Sequence, residues 1–341
     1  MKKLVSLSLS LMMLLGMLAV PAMADDFLVG TLSYLNMTEE DNYRIGLAMK
    51  QPLKKLLFMH DVWTDDGATA VIGDPAYHYY DTLNAMLMGL QAGEVNCIEV
   101  PYYTGKYLCS TNDGLIIREE YHPEKAAGAS EVAINMISDG YSFLMKEENV
   151  ELRDAFDVQI AAMKADGTLQ RLIDEHIVRA SEGAEPAAIA FEKFEGDPVR
   201  IAVTGSLPPM DYVAADGSFA GFNTAVLAEI GRRLQKNIEL VQEDSMGRAL
   251  ALSEGTVDVV FWTRGMTDFL LEDEKLSDEE KKEARAEYLE QMTEEERALL
   301  KEAGQAARTE MKQQMVSRDM PAGTINTQPY FSDCPVWIIL R

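Results

Sequence analysis

Basic residues are scarce in this chain, with 31 Lys and Arg set against 56 Asp and Glu, for a formal net charge of −25. A surface this acidic repels phosphate backbones and anionic lipid, which excludes sequence-independent nucleic-acid binding. Cysteine is scarce too: Cys97, Cys109 and Cys334 are the whole complement. Three thiols cannot all pair with one another, and their spacing fits no metal-ligand pattern. They read as small apolar residues, with a Cys97–Cys109 bridge as the alternative. Four histidines occur, His60, His78, His122 and His176, none of them spaced as H-x-x-x-H. Neither a G-x-S-x-G elbow nor a phosphate-binding glycine loop is present. His60 beside Asp61 is the one acid–base pair, and a lone His at a strand end is more often structural. No cofactor, metal site or catalytic residue is therefore expected.

Long apolar runs are missing after residue 24, where nothing approaches the ~20 residues that span a bilayer. Before it, Lys2 and Lys3 precede an apolar stretch from Leu4 to Val20, broken by Pro21. Ala22-Met23-Ala24 then gives the small-x-small pattern of a cleavage site. This reads as a signal peptide, residues 1–24, and places the mature protein in the periplasm or outside the cell. With no Cys beside the cleavage site, lipid attachment there is not expected. An apolar content of 47% over 341 residues is that of a globular chain long enough for two domains.

Two segments repeat one pattern. LMGLQAGEVNCI (87–98) and ALALSEGTVDVV (249–260) each run as a helix end, a glycine, a valine, then Asn or Asp and a β-rich run. The glycines suit helix C-caps and the runs suit buried parallel strands, so two α/β lobes of similar build are expected. FLVGTL (27–32), KLLFMHD (55–61), NCIEV (96–100) and YSFLMK (141–146) predict strands in the first half. Thr38 is expected to cap one helix, Asp81 a second, and Glu151 to Ile177 reads as a long amphipathic helix. In the second half, VRIAVTG (199–205), IELVQED (238–244), VDVVFWT (257–263) and PVWIIL (335–340) predict strands, with Asn223 capping the helix between the first two. The domains drawn from this are 25–179, a linker 180–197 rich in Ala, Glu, Gly and Pro, and 198–341. Residues 268–319, with 16 acidic and nine basic side chains, form an insertion within the last. Capping boxes at Ser277…Glu280 and Thr293…Glu296 predict two surface helices there.

Taken together, these motifs bring out a family likeness. Gly205, Pro208-Pro209-Met210, Tyr212, Asp216-Gly217, Gly221-Phe222 and Leu252…Gly255…Val257-Asp258 follow in the order found in extracellular solute-binding proteins of family 3, the polar-amino-acid receptors of ABC importers. TQPYFSDCPVWIIL resembles that family's passage toward its second lobe. DTLNAMLMGLQAGEVNCIEVPYYTGKYL is similar to the second lobe, and Lys164-Ala165-Asp166-Gly167-Thr168 resembles the closing segment. The order is reversed, with second lobe first and opening lobe last. The resemblance implies a two-lobe Venus-flytrap (type II) periplasmic-binding-protein fold, circularly permuted, with a helical insertion; a fusion of two partial modules is the alternative.

It also implies a role: capture of a small polar solute, an amino acid or related carboxylate, for uptake through an ABC permease. Carried over by position, the ligand-binding residues are Leu207, Met210 and Tyr212 after the first strand, and Trp262, Thr263 and Arg264 at the end of the Val-Asp strand. Aromatic faces can meet a cation, Thr263 offers a hydroxyl, and Arg264 can grip a carboxylate through two parallel bonds. The sequence departs from the family twice. Arg264 follows Thr263 directly, without the usual intervening loop. The second-lobe acid that receives an ammonium falls near Pro101, so Glu99, two residues earlier on the same strand face, is its substitute. The helix start at Asn36–Thr38 could hold an anion, though plain capping explains it as well. A ligand sensor without a transporter and a dehydratase-like enzyme on the same fold are the other functional readings. The insertion is expected to pack on its own lobe or to serve as a dimerisation arm.

Overall fold

The protein is described here by a computed structural model, which defines residues 28–32, 63–65, 68–70, 76–118, 131–184, 189–243, 247–265, 276–294, 296–298, 300–301 and 323–341. The signal segment, the 55–61 strand, the helix expected after Thr38 and most of the second insertion helix lie outside them.

In chain order the first half contributes β1 (Leu28–Leu32), β2 (Trp63–Asp65), β3 (Ala68–Ala70), β4 (Ala76–Tyr80), α1 (Leu83–Ala92), β5 (Cys97–Pro101), α2 (Tyr102–Thr111), β6 (Leu115–Ile117) and α3 (Glu131–Ile137). There follow β7 (Asp139–Lys146), α4 (Val150–Ala165), α5 (Thr168–Ile173) and, after one π-helical turn, α6 (Arg179–Ser181). The second half contributes β8 (Val199–Val203), β9 (Ser206–Leu207), β10 (Asp211–Val213), β11 (Phe219–Ala220), α7 (Phe222–Leu234), β12 (Ile238–Gln242), α8 (Gly247–Glu254) and β13 (Val259–Gly265). Last come α9 (Asp278–Gln291), β14 (Thr324–Asn326), β15 (Phe331–Asp333) and β16 (Pro335–Leu340).

Two mixed sheets organise these elements. The first has the order β4-β1-β5-β16-β6, the second β12-β8-β13-β7-β14, with β15 also paired to β7. Strands β1–β4, β1–β5, β8–β12 and β8–β13 pair in parallel; α1 links β4 to β5, α7 lies between β8 and β12, and α8 links β12 to β13. The antiparallel strands are the exchanged ones: β16 on β5 and β6, and β7 on β13. The lobes therefore do not coincide with the halves of the sequence. Residues 139–146, expected with 25–179, pair with the second sheet, and 335–340, expected with 198–341, complete the first. The reason is pairing. A strand of four or five apolar residues buries its edge only beside a partner, and β7 and β16 find theirs across the lobe boundary.

Alternation within the second sheet builds two cores. Phe143, Met145, Val259, Phe261, Ile201 and Val203 face the main core, with Phe156 and Ile160 of α4 and Val226 and Ile230 of α7. Their neighbours Leu144, Val260, Trp262 and Ala202 face the other way, against Ala251 and Leu252 of α8. This is the period of two expected of strands covered on both faces. Each fully buried Phe, Leu or Ile contributes roughly 1.5–3 kcal/mol.

Local signals act as expected at several helix ends. Gly93 ends α1 at φ 74° and Gly255 ends α8 at φ 77°, both left-handed. The α1 cap is Thr82, one residue beyond Asp81; its hydroxyl accepts from Ala85 N at 3.1 Å. α7 begins at Gly221, and Asn223 lies inside the helix, buried. All three cysteines are free thiols, Cys97 and Cys334 buried and Cys109 half-buried. The boxes at Ser277…Glu280 and Thr293…Glu296 are both formed. Met292 is buried, and Tyr288, Leu289 and Leu300 pack half-buried against the main core.

Candidate functional site

Two chain crossings join the sheets, and they are close neighbours. One enters β7 at Asp139. The other leaves β15 at Asp333 and enters β16 at Pro335, so Cys334 alone separates strands of different sheets. Register pairs Asp333 with Asp139 and Phe331 with Tyr141, so both crossings share one ladder. On the other edge of β7, Tyr141 faces Thr263 and Gly140 faces Arg264.

A cavity opens between the sheets at this point. It is lined by Thr31, Glu99, Val100, Pro101 and Pro335 from the first lobe and by Asp139, Tyr141, Thr263 and Asp333 from the second. A second cavity lies inside the second lobe, lined by Tyr141, Ala202, Thr204, Leu207, Asp211, Asn223, Arg248, Phe261, Trp262 and Thr263. Each has a free volume of about 20 Å³. That is room for one water-sized group, so a whole amino acid requires the lobes to part. Tyr141 and Thr263 belong to both cavities and join them.

The first cavity is acidic and closely built. Glu99 is buried and accepts from Trp337 Nε1 at 2.9 Å, its partner across β5 and β16. Asp333 accepts from Tyr103 N at 3.1 Å and from Cys334 N at 2.9 Å, while Tyr102 N donates to Cys334 O at 2.9 Å. A second-lobe carboxylate thus caps a first-lobe helix. Burial raises the Asp333 carboxyl to about 7; these backbone donors oppose the shift and the neighbouring charge of Asp139 adds to it. Thr263 is 9% exposed and its hydroxyl has no hydrogen-bond partner.

The second cavity holds a buried cation. Arg248 projects from α8, donates from Nη1 to Phe261 O at 3.1 Å, and lies 5.0 Å from the Trp262 ring centroid, within cation–π range. The Trp262 indole N–H is buried without a partner. Asp211 accepts from Thr204 N, Thr204 Oγ1 and Gly205 N at 2.9–3.0 Å, and burial raises its carboxyl above the ordinary range. Behind it, Tyr330 OH donates to Asn223 Oδ1 at 2.8 Å. At Gly221, with φ 104°, a Cβ would stand 2.5 Å from Met210 O, so only glycine fits.

Of the residues expected to bind ligand, Leu207, Trp262, Thr263 and Glu99 line one cavity or both. Met210 is fully buried and Tyr212 half-buried in β10 against Ala220; neither lines these cavities. Arg264 lies in β13, its side chain being outside the described set. Asp139, Tyr141, Asp333, Thr31 and Arg248 escaped the sequence reading. Asp139 and Asp333 carry no sequence signal of their own; strand pairing alone brings these two acids to the lobe crossings. Among the described residues no group of His, Cys, Asp and Glu is arranged to hold a metal ion.

Residues 199–268, from β8 past the end of β13, match the bacterial extracellular solute-binding proteins, family 3. No curated protein matches the chain. Among solved structures it is similar to the GluR0 ligand-binding core from Nostoc punctiforme in complex with L-glutamate, at 7% identity over 92% of this chain and 85% of that one, TM-score 0.33. It is likewise similar to the phosphate-binding protein of a phosphate ABC transporter from Streptococcus pneumoniae, at 8% identity over 92% and 89%, TM-score 0.33. YhfZ from Shigella flexneri aligns at 11% identity over 96% and 81%, TM-score 0.31. At these scores the whole-chain likenesses are weak, and the family match to 199–268 is the finding that bears on function. Among the described residues no helix is long and apolar enough to cross a membrane.

Proposed function

We propose that this chain, whose residues 199–268 carry the family-3 solute-binding pattern, is an exported receptor that closes two lobes on a small polar solute, an amino acid or related carboxylate, for uptake by an ABC permease. The supporting observation is Thr263: a buried, unpartnered hydroxyl at a strand end, placed where an acidic cavity between the lobes meets a second cavity that holds an arginine. Leaving such a group unpaired costs about 1–3 kcal/mol, a cost that a bound polar ligand removes.

Capture follows from the two crossings. Parting the lobes about Ser138–Asp139 and Asp333–Pro335 widens a cleft that now admits one water-sized group. A solute entering it meets Thr263 and Tyr141 on one wall and Thr31 and Glu99 on the other. Closure excludes water and strengthens each polar contact. Arg264, at the end of β13, is assigned to a carboxylate of the solute. The reversed lobe order reads as a circular permutation, since one copy of each lobe makes one cleft.

Calorimetric titration of the mature protein with the common L-amino acids and the matching 2-hydroxy and dicarboxylic acids tests the reading. At least one compound should bind with micromolar affinity or better and release no product. Turnover of the bound compound would favour the enzyme reading; silence across all classes would remove the receptor.

A further inference from the structure

The two crossings that join the lobes each carry an acid, and register sets the acids opposite one another. Asp139 opens β7 and Asp333 closes β15 on the same antiparallel ladder. Directly opposed residues hold their Cβ atoms roughly 4.5–5.5 Å apart, where two like charges destabilise the pairing. Asp333 is buried, and its carboxyl accepts from Tyr103 N, a donor of the first lobe. Two residues before it, the Phe331 ring packs on Tyr103 of the first lobe and Tyr141 of the second, with centroids 6.2 and 5.6 Å away. These rings keep water from the acid pair and span the lobe boundary. Of the elements around the pair, β5 brings a third acid, Glu99, which accepts from Trp337 Nε1. The cation of α2, Lys106, is held over the Tyr102 and Tyr103 rings at 5.9 and 6.0 Å and lies 4.0 Å from Glu182. Across β7, β13 sets Arg264 opposite Gly140. Burial raises the Asp333 carboxyl to about 7, Asp139 adding to the shift and the backbone donors opposing it.

From this we infer that Asp139 and Asp333 form a proton-operated latch on the two crossings: a proton taken from solvent by Asp333 lets the crossings lie together in the closed cleft, and its loss favours the open one. The inference rests on the receptor reading and adds to it a regulation of capture by pH. Its physical basis is linkage. Parting the lobes breaks the bond between Tyr103 and Asp333 and admits water to the acid, which returns it toward the ordinary carboxylate range. The closed state then binds more protons than the open state, so closure takes one up. The bias toward closure is fully present below about pH 4, drains as pH rises, and is gone above about pH 7. A proton here acts as any ligand with greater affinity for one state must.

Calorimetric titration of the mature protein with the common L-amino acids at pH 5 and pH 8 provides the test, the ionisation of histidine and cysteine themselves being subtracted. Affinity for a compound that binds should fall about tenfold or more from the lower pH to the higher. At pH 6, titration in buffers of different ionisation enthalpy should show net proton uptake on binding. Asp333→Asn, which holds the neutral form, should abolish both effects and bind at pH 8 within a few-fold of the parent at pH 5. Asp139→Asn, which removes the opposed charge, should shrink the pH dependence, and it carries the test if the first variant fails to fold. Equal parent affinity at both pH values, or variants with the parent's full pH dependence, would overturn the latch and leave the receptor standing. Binding by no compound would overturn the receptor. The latch is then read from X-ray scattering of the protein alone: the radius of gyration should be smaller at pH 5 than at pH 8 in the parent and unchanged in Asp333→Asn, and an unchanged parent would overturn it.

Discussion

Asp333 caps the helix that begins at Tyr102 from across the lobe boundary: Tyr103 N donates to its Oδ2 at 3.1 Å, with Cys334 the only residue between the strand that carries the acid and the strand beside the helix. The start of this helix is thus held by a residue of the other lobe.

The same carboxyl makes stability depend on pH. Its value in the folded protein is raised to about 7, above the ordinary 3.8, by burial and by Asp139, against the opposing backbone donors. An acid raised on folding holds a proton in the native state that the unfolded chain has released. Its contribution is therefore fully present below about pH 4, drains as pH rises, and is gone above about pH 7, a change on the order of 4 kcal/mol. Asp333→Asn should flatten the stability profile across that window. Urea midpoints at pH 5 and pH 8 measure it; parent and variant with equal slopes would refute the assignment.

Tyr330 and Asn223 make the second prediction. Their hydrogen bond of 2.8 Å is buried, and the Tyr330 ring stacks on Phe143 with centroids 4.7 Å apart. Tyr330→Phe keeps the stack and orphans Asn223 Oδ1. Stability should fall by about 1–3 kcal/mol, read from chemical denaturation. A double change with Asn223→Leu should cost less than the separate losses summed, since it removes both ends of the bond.

Arg264 offers a third. If it pairs a desolvated carboxylate of the solute, Arg264→Ala weakens binding by about 2–5 kcal/mol. Lysine at that position should recover only part, because a point charge replaces a planar fork. Unchanged affinity with alanine removes Arg264 from the site and turns attention to Arg248, which the structure places in the second cavity.

Local chemistry explains which features were legible in the sequence. Gly93, Gly255, Ser277 and Thr293 act within one turn of their own helices, so spacing alone reveals them. Trp262 and Thr263, carried over from the family resemblance to the end of the Val257-Asp258 strand, line the cavities. The exchange of β7 and β16 was not legible, since each reads as an ordinary apolar strand and only pairing says which sheet it joins. Asp139 and Asp333 were missed for the same reason. They lie 194 positions apart in sequence, and a ladder makes them neighbours. Arg248 was hidden on a helix, where an exposed surface charge is the ordinary expectation.

The acidic insertion gives the last prediction. Composition predicted exposed helices, and α9 has no buried residue along its length. Met292, just beyond its end, is buried, however, and Tyr288 and Leu289 within it and Leu300 after it rest half-buried on the main core. Its described residues thus meet the main core through these apolar side chains, and none of the described ones lines either cavity. Replacing residues 268–319 with a short Gly/Ser linker should remove those contacts and lower stability by a few kcal/mol, since large apolar contacts of this kind are worth about 1.5–3 kcal/mol each when fully buried. Solute affinity, measured by calorimetry on the trimmed protein below its lowered midpoint, should stay within a few-fold of the parent. A trimmed protein that folds cooperatively yet no longer binds solute would place the insertion in the cleft and overturn its assignment as a peripheral element.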